Sequence, residues 1–355
     1  MTKRKLLVFS QSNVGGAERM AVTVTKSLDR ELFGVVYYLV SMESGNKYPL
    51  AEFIPEDKTV KHIKKHNALV LAFKLCLILL REKPDVVFSS VFYLNNKVLL
   101  FRNLFPKTTF IIRCENYVYT FSEKQKQMMK KLYPKADRII VQTEEMGKGY
   151  EELIGCKNKI QVLHNPIDKE TIDKKIAQSA SPFPQNNIKR FVASGRFTEQ
   201  KGFDLLVKAF ALAIKEVSDA ELYIIGKNDG DNKNCYDGII DIAKTLGVEE
   251  KIHCVGFQSN PYKYVKHADC FVLSSRWEGL PNVMIESLYL GTPVAAFKCI
   301  PIIERIVSEG ENGYLAEAEN VNALAAAMTK AIQLGRVESY YHSADISDFE
   351  KLFMC

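Results

Sequence analysis

Short apolar runs alternate with helix-spaced stretches along this 355-residue chain, and the alternation breaks once. Before the break, residues 6–9, 35–40, 86–89, 109–112, 138–142 and 159–163 read as strands, with helical spacing at 18–28 and 69–80. After it, strands are expected at 190–193, 221–225, 252–255, 270–273 and 294–296, the last completing the sheet. Helices are expected there at 202–215, 238–246, 261–267 and 323–334. Runs this short and apolar suit strands buried on both faces, and an intervening helix returns the chain for parallel pairing. The pattern predicts an α/β fold with doubly wound parallel sheets. The break at 177–189 is rich in Ser, Pro, Gln and Asn and reads as a linker. The chain is long enough for two domains of ordinary size. They are set at residues 1–168 and 190–335, with a linker over 169–189 and a terminal helix in 336–355 able to cross back to the first domain.

Residues 274–286 carry the densest chemistry. The apolar run 270–273 ends in Ser274-Ser275-Arg276-Trp277-Glu278-Gly279-Leu280-Pro281, and a helical pattern begins near Asn282. Open α/β sheets bind ligands at such strand-to-helix junctions. A helix N-terminus offers free backbone N–H groups and partial positive charge to a phosphate. Glu278 in the turn and Glu286 inside the helix can hold hydroxyl groups on either side of it. A sugar nucleotide has that layout, with sugar at one end, ribose at the other and diphosphate between.

The stretch resembles the E-x7-E signature of retaining glycosyltransferases of the GT-B fold, the family-4 or group 1 type. Val14-Gly15-Gly16-Ala17-Glu18-Arg19 resembles that family's N-terminal glycine loop, and His164-Asn165-Pro166-Ile167-Asp168 the N-x-[IV]-D that ends its first domain. Ser194-Gly195-Arg196-Phe197-Thr198-Glu199-Gln200-Lys201-Gly202 resembles its G-R-x-x-x-x-K-G phosphate motif, and Gly291-Thr292-Pro293-Val294 its G-x-P-V. Each motif is weak alone; the weight lies in their common order over most of the chain.

The resemblance implies two Rossmann-like domains facing across a cleft, the first for the acceptor and the second for the nucleotide sugar. It implies a retaining hexosyltransferase with a UDP-linked donor, no cofactor and no essential metal. Arg196 and Lys201 would neutralise the departing diphosphate. Glu278 would approach the donor sugar hydroxyls and Glu286 the ribose. Gly279, Leu280, Pro281, Asn282 and Val283 would surround the donor at the helix start. Gly15 and Gly16 would let backbone N–H groups approach it, and Gly226 and Phe257 would sit near the base. Many members carry a histidine where this chain reads Arg113-Cys114-Glu115-Asn116. Glu115 then either acts as acceptor base or positions the sugar, while His164 reads as a strand-end residue.

Each motif also has an ordinary reading. Gly15-Gly16 can be a plain turn; it lacks the G-x-G-x-x-G pattern, which disfavours a nicotinamide cofactor. Arg196 and Lys201 can be solvated surface charges, and the two glutamates ordinary helix-start carboxylates. Asp229-Gly230-Asp231 is a D-x-D, but its Gly- and Asn-rich surroundings read as a solvated turn. Paired carboxylates also serve glycoside hydrolysis, which has no need of the Arg196/Lys201 pair.

Charge is uneven. Residues 1–165 hold 27 Lys/Arg against 16 Asp/Glu, and the remainder 21 against 26. A basic half suits an anionic membrane, an anionic substrate or nucleic acid. Lys58, Lys61, Lys64 and Lys65 precede the apolar helix at 69–80, and Lys124, Lys126, Lys130, Lys131 and Lys135 alternate with Met128, Met129, Leu132 and Tyr133. Such helices either turn an apolar face inward and leave the charges to water, or lie on an anionic bilayer. The reading taken is a lipid-linked saccharide acceptor in capsule or O-antigen assembly, with peripheral contact at the inner face of the membrane and no nucleic acid partner. The alternatives are a GT-B phosphorylase or sugar-nucleotide epimerase, and a non-enzymatic anionic-surface or nucleic-acid binding module. Lys3-Arg4-Lys5 leads into only four apolar residues, unlike a secretory leader, and the run from 68 to 80 is too short to span a bilayer. Eight scattered cysteines without C-x-x-C pairs read as reduced core residues of a cytoplasmic protein.

Overall fold

The computed structural model describes residues 3–13, 15–41, 49–64, 67–227, 233–339, 341 and 343–354. Val14 of the glycine turn, Lys65 of the basic stretch, the Asp229-Gly230-Asp231 motif and Cys355 lie outside them. The chain forms two compact units, one of Met1–Pro166 with His342–Cys355, the other of Ile167–Tyr341.

The first unit is built on β1 (Arg4–Gln11), β2 (Phe33–Val40), β3 (Thr59–Ile63), β4 (Val86–Ser89), β5 (Thr109–Arg113), β6 (Arg138–Val141) and β7 (Ile160–Val162). Its helices are α1 (Gly16–Lys26), α2 (Ala68–Glu82), α3 (Phe92–Leu100), α4 (Glu123–Leu132) and α5 (Glu144–Ile154). The strands pair in parallel in the order β3-β2-β1-β4-β5-β6-β7. The chain therefore winds outward from β1 in both directions, and the loops after β1 and β4 diverge at a switch point. All four residues of β4 are buried, which is why it reads as an unbroken apolar run. β3 was expected only as basic sequence ahead of a helix. It is an edge strand, mostly half-exposed, so Thr59, Lys61 and His62 suffice there and no apolar run marks it.

The second unit comprises α6 (Lys169–Ala177), β8 (Lys189–Ser194), α7 (Phe203–Ala213), β9 (Ala220–Ile225), α8 (Lys233–Thr245), β10 (Ile252–Gly256) and α9 (Tyr262–His267). It continues with β11 (Cys270–Leu273), α10 (Asn282–Tyr289), β12 (Val294–Phe297), α11 (Ile302–Ile306), β13 (Gly313–Ala316) and α12 (Val321–Ala331). The parallel order is β10-β9-β8-β11-β12-β13, with the switch point between β8 and β11. Residues 294–296 do not complete this sheet: β13, a four-residue edge strand, adds one more.

The 169–189 linker is also corrected. Its first half is α6, whose N-terminus is capped by the Asp168 side chain accepting from the Thr171 N–H at 3.3 Å. Lys175 donates to the Ser259 carbonyl at 2.6 Å, Tyr289 donates to Asp173 at 2.8 Å, and Ile172 is buried. These contacts make α6 a packed helix of the second unit.

The last helix, α13 (Ile346–Met354), belongs to the first unit. Phe349, Leu352 and Phe353 are buried in the core that α1, β1 and β2 share. The Phe353 ring lies 6.3 Å from Phe33 and 5.2 Å from Phe88. Glu350 accepts from the Asp29 backbone N–H at 2.7 Å, and Arg4 donates to the Phe353 carbonyl at 3.0 Å. Among the described cysteines all are free; Cys76, Cys114 and Cys270 are buried as expected, but Cys235 on α8 is exposed.

Candidate active site

In a parallel sheet every strand delivers its following loop to one edge. At the β8–β11 switch point these loops are Gly195–Gly202 and Ser274–Pro281, and they are tied together at several points. The Arg276 backbone N–H donates to the Gln200 carbonyl at 2.8 Å, Ser274 Oγ donates to the Lys201 carbonyl at 2.9 Å, and Gln200 donates to the Trp277 carbonyl at 3.0 Å. Gly202 stands at the closest approach. Its φ is +60°, and a Cβ there would run into the Ser274 carbonyl oxygen. Gly202→Ala is expected to cost about 1–2 kcal/mol from the left-handed backbone alone, with more from pushing the loops apart. A melting scan that found the variant as stable as its parent would sink this account of the turn.

This stapling brings two of the expected site residues into contact. Lys201 Nζ lies 2.6 Å from Glu278 Oε1, and Ser275 Oγ donates to the same oxygen at 2.6 Å. Glu278 is buried and Lys201 nearly so, with the lysine stem passing over Gly195, where a Cβ would lie 3.0 Å from it. Arg196 is exposed, reaching Gln200 Oε1 at 3.5 Å. Gly226, after β9, is buried against the same loop: its Cβ would collide with the Gly195 carbonyl oxygen. Phe257, after β10, is exposed. Gly279, Leu280 and Pro281 are buried in the turn, and Asn282 and Val283 open α10, whose N-terminus has no side-chain cap. Glu286, farther along α10, accepts from Tyr262 Oη at 3.3 Å.

The sequence motif assigns Arg276 no role. Its guanidinium forks onto Asp204 at 2.9 and 2.7 Å, donates to the Glu199 carbonyl at 2.8 Å and meets Glu319 at 3.1 Å. Asp204 holds the guanidinium above its ordinary range. Burial raises the Asp204 carboxyl, but the fork outweighs it and the net direction is down. The pair braces the Glu278 loop against the start of α7. Asp204 is 72 residues from Arg276, and no local pattern announces the pairing. Cys299 lies close enough to feel Glu278, but burial first and that charge second push its thiol up to about 12, so it is no nucleophile.

The first unit presents its own polar edge. Gly15 precedes α1, and the Glu18 carboxylate folds back over it into the space a Cβ would take; Gly16 opens the helix, exposed. Glu115 follows β5 and is half-exposed. Beside it, buried Arg113 donates to Asn165 Oδ1 at 2.6 Å, and Gln142 donates to the Cys114 carbonyl at 3.2 Å. His164 Nδ1 sits 2.8 Å from the Gln142 carbonyl, a strand-end contact.

Comparison with known proteins places these features in a family. Residues 174–344 match the model for "Glycosyl transferases group 1", and residues 14–171 that for "Glycosyltransferase Family 4". An uncharacterized glycosyltransferase of Methanocaldococcus jannaschii is 34% identical over 66% of this chain, which spans 63% of that protein's length. The N-acetylgalactosamine-N,N'-diacetylbacillosaminyl-diphospho-undecaprenol 4-alpha-N-acetylgalactosaminyltransferase of Campylobacter jejuni is 28% identical, covering 91% of this chain and 88% of its own. The crystal structure of Anabaena HepE in complex with UDP shares the fold at a TM-score of 0.76 and 16% identity, over 99% of this chain and 98% of the other.

Proposed function

The chain belongs to the group 1 glycosyltransferases of the GT-B fold, and from that premise we propose that it moves a hexose or N-acetylhexosamine from a UDP-sugar to a lipid-linked saccharide, with retention of configuration. The observation that carries this reading is the Lys201–Glu278 contact at the β8–β11 switch point, beside the uncapped start of α10. One cation, one carboxylate and one helix N-terminus converge there, as a phosphate flanked by sugar hydroxyls requires. The Campylobacter relative's diphospho-undecaprenol acceptor supports the lipid-linked class, and the UDP held by HepE supports the nucleotide. Cell-surface polysaccharide assembly at the inner face of the membrane is the setting that fits both.

In the proposed reaction the bond from the sugar C1 to the β-phosphate oxygen breaks. The acceptor oxygen bonds C1 from the same face, and its proton passes to the leaving phosphate. Charge grows on that phosphate in the transition state, where fixed donors act most strongly. Lys201, Arg196 and the α10 N-terminus supply that stabilisation, Glu278 orients the sugar hydroxyls and Glu286 the ribose. Glu115, on the first unit, is left the positioning role of the two expected of it, since the acceptor proton goes to the phosphate. No metal is assigned a step.

A thermal-shift series with UDP, GDP and ADP, with and without EDTA, tests the donor site. UDP at a hundred times its Kd is expected to add about 2.7 kcal/mol to stability by mass action, and the rise should survive EDTA. A rise abolished by EDTA would refute metal independence; no response to any nucleotide at millimolar concentration would refute the donor site itself.

A further inference from the structure

The basic stretch ahead of α2 does not present one charged face. Lys61 pairs with Glu82 at 2.6 Å, where Lys5 joins it at 2.5 Å. Lys58 points elsewhere. It lines an open cavity of about 360 Å³ at the edge of the first sheet where β1, β2 and β3 begin. The strands are parallel, so this edge is opposite to the one that carries Gly15 and Glu115. Lys5 pairs with Gly34 and Val36 with Thr59, which puts all four on one face of the sheet. Gly34 has no side chain, so the floor stays low there, and the Lys3 stem passes 3.7 Å from where a Cβ would stand.

Lys3, Lys5, Arg30 and Lys58 line this cavity against one carboxylate, Asp57. Four cations against one acid leave an excess of three positive charges. Glu82, outside the lining, is divided between Lys5 and Lys61 and offsets only part of it. Asp57 is shared as well: Arg30 lies 3.5 Å from it and Lys58 3.7 Å. Most surface cations are simply solvated, and that account covers Lys3 and Arg30, which are exposed. It does not cover Lys58, whose side chain is 6% exposed. Among the described residues its ammonium meets no acceptor nearer than Asp57. A buried ammonium needs hydrogen bonds and a counter-charge, and a carboxylate that also faces Arg30 balances one of the two. A recess lined by one sign of charge concentrates ions of the other.

We propose that this cavity is a binding site for a small soluble diphosphate, or for a metabolite that carries one, and that it shares no residue with the donor site. Its volume falls at the lower end of small-molecule pockets, roughly 300–1,000 Å³. Lysine ammoniums hold phosphate as point charges and an arginine adds a planar fork. Two linked phosphates can meet several of these cations at once, where one phosphate meets fewer. Phe33, the aromatic ring of the lining, is 1% exposed, so it offers no face for a base to stack on. The recognised group is therefore the diphosphate itself. Lys58 anchors it from below, Lys3 meets it over Gly34, and Asp57 is the competitor it displaces. Bound there, the anion ties together the starts of three strands and stabilises the first unit by mass action. The inference goes beyond the function proposed above and does not rest on it.

The test is calorimetric titration of the full chain with pyrophosphate at about 0.15 M salt, where distant charges are screened. It is run in the Arg196→Ala background, which weakens any hold on phosphate at the donor site. That protein should still bind pyrophosphate. Adding Lys3→Met/Lys58→Met, which keeps both stems and removes both charges, should weaken binding by about tenfold or more. Adding Asp57→Asn instead, which removes the competing carboxylate, should tighten it by about two- to fivefold. A gain in affinity requires a folded site, so this variant decides the question even if the methionine pair fails to fold. No binding in the Arg196→Ala background overturns the proposal. So does a folded methionine pair that binds like its parent, or an Asp57→Asn variant that binds no tighter. Orthophosphate that binds as tightly as pyrophosphate overturns the assignment to a diphosphate.

Discussion

Lys201→Ala is expected to lower turnover at saturating donor by about 10²-fold or more, as removal of one fixed donor from a developing oxyanion does. The effect should fall on kcat, because the leaving phosphate is more negative in the transition state than in the bound donor. The geometry adds a complication. Lys201 also pairs with Glu278, which is buried, so the alanine variant strips that carboxylate of its cation and leaves it the Ser275 hydroxyl. An unpaired buried charge is destabilising in its own right. Glu278→Gln in the Lys201→Ala background separates the two effects. If Lys201 served only to neutralise Glu278, the double variant would match Glu278→Gln alone in both stability and turnover. If Lys201 meets the diphosphate, the double variant matches Glu278→Gln in stability but turns over far more slowly than it. A purified Lys201→Ala enzyme with parental kcat contradicts the role outright.

Phe353→Ala is the substitution expected to cost most in stability, about 3–5 kcal/mol for a fully buried aromatic ring. The ring fills the space between Phe33 and Phe88, on β2 and β4, and α13 holds few other large anchors. The loss should be local to the first unit. Trp277, the single tryptophan, lies in the second unit. Circular dichroism reports both units and tryptophan fluorescence one of them. In denaturant, the variant's dichroism should therefore begin to fall well before its fluorescence changes. Coincident transitions, shifted by under about 1 kcal/mol, would mean that the α13 contact contributes little.

The strands legible in the sequence were those buried on both faces. β4 and β11 match the expected runs to the residue, because every side chain in them is apolar or small. β3 and β13 were missed because edge strands bury less and can be polar or glycine-bearing. α6 was hidden in a polar stretch: only Ile172 is buried, and its anchoring is by hydrogen bonds. At the site, the motifs fixed which residues to watch. They did not show that Lys201 and Glu278 touch, since 77 residues separate them and only the β8–β11 crossover joins them. Arg276 carried no signal at all, because its partner is set by packing. The basic character of the first half was plain from charge counting, whereas the outward-facing Leu69, Leu77 and Leu80 of α2 were not. A helix apolar all round reads as buried until the structure shows which side is covered.

α13 follows the second unit in the chain yet completes the first. During synthesis the ribosome must therefore make residues 167–341 before the first sheet can receive Phe349, Leu352 and Phe353. At about 5–20 residues per second, those 175 residues take roughly 9–35 s. For that interval the nascent first unit keeps an apolar cleft open over β1 and β2, while the second unit is free to fold as it emerges. The N-terminal half is thus the last to mature, and the time for which it needs shielding is set by the length of the unit inserted in it.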